Sequence, residues 1–265
     1  MKWPKSLLFV RHAESAYNTI AKSRKEDPDY QEFVRLYQEW SLVAGTQEPS
    51  EELKHLAKIM ADLYRVNASD QETSLNFMDG QQYFIMKTGE YLRHHEVLPD
   101  VIFVSPYLRT RQTLEYLICG WPELSRVRVY EDERIREQSH GLSGLYNDHK
   151  IFFLHHPEQF LLYQLEGPYW YKWPQGENVP EVRSRLRSWL ATVTREFAEQ
   201  NVFVVSHHLT LLGLRANFER LTVEEFLRID KEEKPVNLGV TKYVGDPTQG
   251  RDGRFLLDYY NSQFF

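Results

Sequence analysis

The chain has 265 residues, 42% hydrophobic and 26% charged, with 32 lysines and arginines against 38 aspartates and glutamates, a formal net charge of −6. This is the composition of a soluble globular protein long enough to bury about three quarters of its unfolded surface, in one domain carrying a smaller insert. The acidic balance excludes DNA binding by general phosphate attraction, so an anionic ligand has to be held by a local cationic pocket.

Taken in chain order, Leu7-Leu8-Phe9-Val10 is the first short, apolar, β-branched run, and it reads as a fully buried strand. It is too short before Arg11 to be the apolar region of a signal peptide. Residues 21–73 are highly charged and carry two helical patterns, Tyr30, Phe33, Val34, Tyr37, Trp40 and then Leu53, Leu56, Ile59, Met60, Leu63. They predict a helical insertion packed beside the sheet, either a surface helical pair or a lid or dimer surface. Val101-Ile102-Phe103-Val104 is a second strand, followed by a helical pattern over Tyr107–Leu117; Cys119 then reads as a buried thiol before Gly120. As the single cysteine it forms no intrachain disulfide, which fits a reducing, cytoplasmic setting. Val182, Leu186, Trp189, Leu190, Val193 and Phe197 predict a long amphipathic helix over Pro180–Gln200. Val202-Phe203-Val204-Val205 is a third strand, with a helix over Leu209–Phe218 after it. The longest uncharged stretch, Asn201–Leu214, falls short of the roughly 20 apolar residues that span a bilayer, so no membrane partner is expected. Leu238–Val244 and Arg254–Tyr260 look like two edge strands, antiparallel to the rest. Strands alternating with helices predict an α/β fold with a mainly parallel sheet.

Ligands of open α/β sheets bind beyond the carboxyl ends of the strands. After the first run come Arg11, His12, Ala13, Glu14 and Ser15; after the second, Ser105, Pro106, Tyr107, Leu108 and Arg109; after the third, Ser206, His207 and His208. Two arginines and three histidines at one sheet edge suit a phosphoryl group, because guanidinium forks and helix N-termini bind its oxygens. A histidine among arginines has its charged form disfavoured, which keeps the imidazole neutral and nucleophilic. Leaving-group protonation needs a carboxyl, and Glu131, Asp132, Glu133 and Glu137 lie close together in sequence.

Four motifs now stand in order: Val10-Arg11-His12-Ala13-Glu14-Ser15, Ser105-Pro106-Tyr107-Leu108-Arg109-Thr110-Arg111-Gln112-Thr113, Glu137 with Gly141 four residues on, and Val205-Ser206-His207. Together they resemble the histidine phosphatase superfamily, also called phosphoglycerate-mutase-like. The resemblance implies a three-layer α/β/α sandwich and a single domain over 1–265 interrupted by the insertion at about 21–73. It implies that His12 is the phosphorylated nucleophile, that Arg11, Arg109 and His207 hold the phosphoryl oxygens, and that Glu137 is the proton donor. Asn18, and with it Ser15, would touch substrate phosphate, and neither a metal nor another cofactor is implied. Ala13 replaces the commoner glycine of the signature. His208 stands where the last motif usually has glycine, so its imidazole either adds a substrate contact or points into the core.

The adjacent pairs His94-His95 and His155-His156 do not share a helix face and predict no metal site. The run Tyr169-Trp170-Tyr171-Lys172-Trp173-Pro174-Gln175-Gly176-Glu177 reads either as a substrate-facing wall or as packing that seats the helix from Pro180. A small phosphorylated substrate is expected, with a homodimer through the insertion as one further reading. Phosphoglycerate mutases carry adjacent arginines after the acid motif, whereas Gly141–Gly176 has lysines but no arginine. The expectation is therefore a metal-independent phosphomonoester hydrolase, the alternatives being a bisphosphoglycerate-dependent mutase and a silent phosphate-binding protein.

Overall fold

The computed structural model describes residues 3–65, 68–249 and 253–265, so residues 66 and 67 of the expected insertion lie outside the described residues. In chain order the elements are β1 (Ser6–Arg11), α1 (Ala16–Ser23), α2 (Pro28–Ser41), α3 (Glu51–Leu63), α4 (Gln81–His95), β2 (Val101–Val104), α5 (Leu108–Gly120) and β3 (Arg128–Glu131). They continue with α6 (His149–His155), α7 (Pro157–Trp170), α8 (Val179–Glu196), β4 (Asn201–Ser206), α9 (His208–Phe218), α10 (Val223–Glu232), β5 (Val240–Asp246) and β6 (Arg254–Ser262). The chain divides into two compact units, one drawn from segments 1–15, 71–137 and 181–265, the other from 16–70 and 138–180.

The first unit is an α/β sandwich. Among the described residues its sheet has six strands in the order β3-β2-β4-β1-β5-β6. The first four are mutually parallel, and β5 and β6 add antiparallel at the β1 side. Because side chains alternate along a strand, each apolar run feeds two faces. Leu8, Val10, Ile102, Val104, Phe203 and Val205 pack on one face with Ile85 and Leu92 of α4 and Leu114 and Leu117 of α5. On the other face Phe103 meets Trp189 of α8 edge-on, ring centroids 5.4 Å apart. There α8 and α9 approach so closely that a Cβ on Gly213 would lie 2.6 Å from Leu186 Cδ1. Trp189 is fully buried, and its truncation to alanine would cost about 3–5 kcal/mol. The register sets the functional edge: Arg11 lies opposite Ser206 and Val104 opposite Val205, so β1, β2 and β4 end level with one another.

The second unit has its own core. Asp27 caps α2 by accepting from Asp29 N, and Ser50 caps α3 by accepting from Leu53 N. The apolar faces of these helices, Tyr30, Phe33, Tyr37, Trp40, Leu53 and Met60 among them, close on Ile151, Phe152, Phe153 and Phe160 and on Tyr171 and Trp173. The predicted helical pair thus shares a core with residues 138–180, which the sequence reading had not grouped with it. The aromatic run serves packing here: Trp173 stacks on Phe153 at 5.7 Å, although Trp170 is exposed. Buried Asp148 accepts from Tyr30 Oη at 2.7 Å and lies 3.5 Å from both Arg24 and Lys150. Gly141 has a left-handed backbone, φ +51°, and a Cβ there would lie 2.0 Å from Pro174 O. Only glycine fits that turn.

Two local readings need correction. Cys119 is exposed, not buried, because the buried stripe of α5 runs through Thr110, Thr113, Leu114 and Leu117, and a residue two positions beyond Leu117 faces away from it. Leu238 has φ +57° and precedes the strand, which begins at Val240.

Candidate active site

The loop after β1 is held by hydrogen bonds from both sides. His12 N donates to Ser206 O at 2.9 Å, Arg11 N to Gly239 O at 3.1 Å, and Asn237 Nδ2 to His12 O at 3.0 Å. Ala13 N donates to Thr113 Oγ1 at 3.0 Å. Ala13 is fully buried and does not have the left-handed backbone that would demand the family's glycine.

Around this loop the structure gathers His12, Arg109 and His207, each at most 5% exposed. His12 Nδ1 lies 2.7 Å from Ala13 O. A carbonyl only accepts, so the ring proton sits on Nδ1 and the lone pair is on Nε2. Arg109, in the first turn of α5, directs its Nε–H at His12 Nε2 from 3.3 Å and lays its guanidinium over the Tyr107 ring at 4.8 Å. The His207 ring stands 5.2 Å from that of His12, and its Nε2 is 2.7 Å from Ser105 Oγ. Arg11 donates through Nη1 to Pro235 O at 2.5 Å. Arg11 Nε and His207 Nδ1 are buried with no hydrogen-bond partner among the described residues. Buried unpaired polar atoms are costly, and a ligand site is one place where they are tolerated.

Burial is the first cause that drives the His12 pKa well below 6.5, and the charges of Arg109 and Arg11 add to it. The sequence reading invoked only the arginines. His207 is lowered in the same way, by burial first and then by Arg109 and His12. Burial also lowers the pKa of Arg11, against the opposing pull of Glu137.

Among the four acidic candidates, Glu137 is the one that reaches the first turn of α9, where its Oε1 accepts from Leu209 N at 3.2 Å. Glu131 and Glu133 are exposed. Asp132 caps the turn at 133–135 and pairs with Arg134 at 2.6 Å. Ser15 is buried and bridges to Leu75, and Asn18 lies half-buried on α1 in the second unit. His208, of which two readings were open, stands 2.6 Å from Asp230, its side chain 13% exposed.

Arg185 was missed in the sequence. From α8 its Nη1 donates to Arg134 O at 2.7 Å and its Nη2 to Glu137 O at 3.2 Å, clamping the turn that carries Glu137. In the sequence it is one of several arginines on the polar side of a helix, with no local mark of that role. Among the described residues no group of three or more His, Cys, Asp or Glu is placed to hold a metal ion, and no helix is long and apolar enough to cross a membrane.

An α/β sandwich with two histidines and two arginines at the ends of its parallel strands is the framework of a phosphoryl-transfer enzyme. The family profile of the histidine phosphatase superfamily (branch 1) matches residues 83–249, and the chain belongs to that superfamily, whose activity is of the phosphatase or mutase-like kind. It is 26% identical over 237 residues to the phosphoglycerate mutase-like protein AT74H of Arabidopsis thaliana, across 86% of this chain and 70% of that one. It is 27% identical over 210 residues to phosphoserine phosphatase 1 of Hydrogenobacter thermophilus, across 78% and 73%. The fold is shared with the structure of a mycobacterial glucosyl-3-phosphoglycerate phosphatase, at a TM-score of 0.62 and 18% identity over 97% of this chain and 99% of the other.

Proposed function

We propose that the protein is a phosphomonoester hydrolase working through a phosphohistidine on His12. The observation that carries this reading is the His12 imidazole, with Nδ1 engaged by Ala13 O and Nε2 facing Arg109, beside buried side-chain nitrogens of Arg11 and His207 that have no hydrogen-bond partner among the described residues. In the first step Nε2 attacks phosphorus in line, the N–P bond forms, the P–O bond to the leaving alcohol breaks, and Glu137 delivers its proton to the departing oxygen. Arg11, Arg109 and His207 offset the charge on the equatorial oxygens. In the second step water attacks phosphorus, the N–P bond breaks, the pair returns to Nε2, and the Glu137 carboxylate takes a proton from the water. Every group in the cycle is a side chain of this protein or water.

Ser15 and Asn18 belong to this reading as further contacts to a small phosphorylated substrate, and cytoplasmic residence fits its single cysteine. The mutase-like name of the Arabidopsis relative favours a second reading, in which His12 returns the phosphoryl group to another hydroxyl. The absence of arginine from Gly141–Gly176 supports hydrolysis over it. The test is turnover of p-nitrophenyl phosphate in excess EDTA by wild type and His12→Ala. Activity in EDTA that is lost in the variant is the expected result. Activity that persists in His12→Ala contradicts the nucleophile, and inactivity of both, with phosphoglycerate interconversion instead, favours the mutase.

A further inference from the structure

The carboxyl of Glu137 rests on the first turn of α9 through Leu209 N, and that turn begins at His208. The His208 side chain does not stand alone there: Nε2 lies 2.6 Å from Asp230 Oδ1, on α10, with His208 largely buried and Asp230 half-buried. A glycine at 208, which the family motif usually has, could make no such link. The charged and titratable groups around His208 are Asp230 on α10, Lys234 just after it, and Glu137 and His12 from the strand ends.

We propose that His208 and Asp230 form a positioning pair for the proton donor, tying the first turn of α9 to α10 so that Leu209 N–H holds the Glu137 carboxyl where the leaving oxygen departs. The inference rests on the phosphatase reading and adds to it a pair of residues that act through Glu137, with no contact of their own to substrate. Burial lowers the imidazole pKa and Lys234 opposes the pull of Asp230 and Glu137, so the link to Asp230 is the close 2.6 Å side-chain contact between the two helices. Bracing a catalytic carboxyl in this way matters only when its proton is needed. A good leaving group such as p-nitrophenolate departs without help, whereas an alkoxide requires protonation, a contribution typically of about 10²–10⁴-fold.

The experiment compares kcat/KM for p-nitrophenyl phosphate and β-glycerophosphate in wild type, Asp230→Asn and Asp230→Ala, with His12→Ala as control and melting temperatures recorded for all. The isosteric asparagine keeps the packing if alanine fails to fold. The expected result is a loss of about tenfold or more on β-glycerophosphate with less than about threefold on p-nitrophenyl phosphate, in line with partial loss of acid catalysis. Equal losses on both substrates, no loss on either, or a lowered melting temperature with an unchanged ratio of the two rates would overturn the pairing role while leaving the phosphatase reading intact. A wild type inactive on both substrates, or an active His12→Ala, would overturn the phosphatase reading itself and the pair's role with it.

Discussion

Replacing Arg109 separates its two effects on His12. Its Nε lies 3.3 Å from His12 Nε2 at a site 5% exposed, and its charge is, after burial, the largest influence lowering the His12 pKa. Arg109→Met removes the cation and one donor to the phosphoryl oxygens. Two unit charges about 4 Å apart interact by about 4 kcal/mol at an effective dielectric of 20, and losing one preorganised donor costs about 10²–10³ in rate. The expected drop in kcat/KM for p-nitrophenyl phosphate is therefore about 10²–10³-fold. The sign on pH follows from the same contact: with the cation gone the protonated imidazole is less disfavoured, the His12 pKa rises, and the acid limb of kcat/KM moves to higher pH. Arg109→Lys keeps a positive charge but loses the planar fork, so it should lose rate while leaving that limb close to its wild-type position. A fall of less than about tenfold in Arg109→Met, or an acid limb that stays in place or moves down, would refute the assigned contact.

Other consequences are open to measurement. His12 and His207 are buried with lowered pKa values, so the unfolded chain binds more protons than the folded one below pH 6.5, and stability falls as pH drops through that value. Each contributes up to about 1.4 kcal/mol per pH unit, and urea titrations between pH 7 and 5 should show a shallower fall in His207→Asn; an equal slope would contradict it. Gly141→Ala combines a left-handed backbone with a Cβ 2.0 Å from Pro174 O and should destabilise by about 2–5 kcal/mol in denaturant unfolding, whereas Gly144→Ala, whose Cβ meets nothing within 4 Å, should be nearly neutral. Cys119 is exposed, so one thiol should react with Ellman's reagent in the native protein, and slow reaction only on unfolding would place it in the core.

The parallel core was legible because strands buried on both faces appear as unbroken apolar runs, and the candidate histidines and arginines because they follow shortly after those runs. β3 was not: Arg128–Glu131 is a short edge strand with mostly exposed side chains, so it has no apolar signature. Helices α4, α6 and α7 also escaped notice. The last two close on residues about a hundred positions earlier, such as Tyr37 against Phe160, and no local period encodes that pairing. Arg185 and Asp230 act on the loop of Glu137 and on His208 from other helices, across 48 residues in the first case, and only the fold brings them there. The small residue at 13 and the glycine at 141 were both readable as motif positions, but the reason for the glycine, a turn closed against Pro174, is visible only in the structure.

The most direct test of the account is to mix the enzyme with p-nitrophenyl phosphate, quench within the first turnover in alkali, where a phosphoramidate survives, and map the adduct by mass spectrometry. A phosphoryl group is expected on the peptide containing His12, absent from His12→Ala and accumulating when the second step is slowed in Glu137→Gln. A phosphoryl group on another residue, or turnover with no phosphoenzyme under any quench, would contradict it.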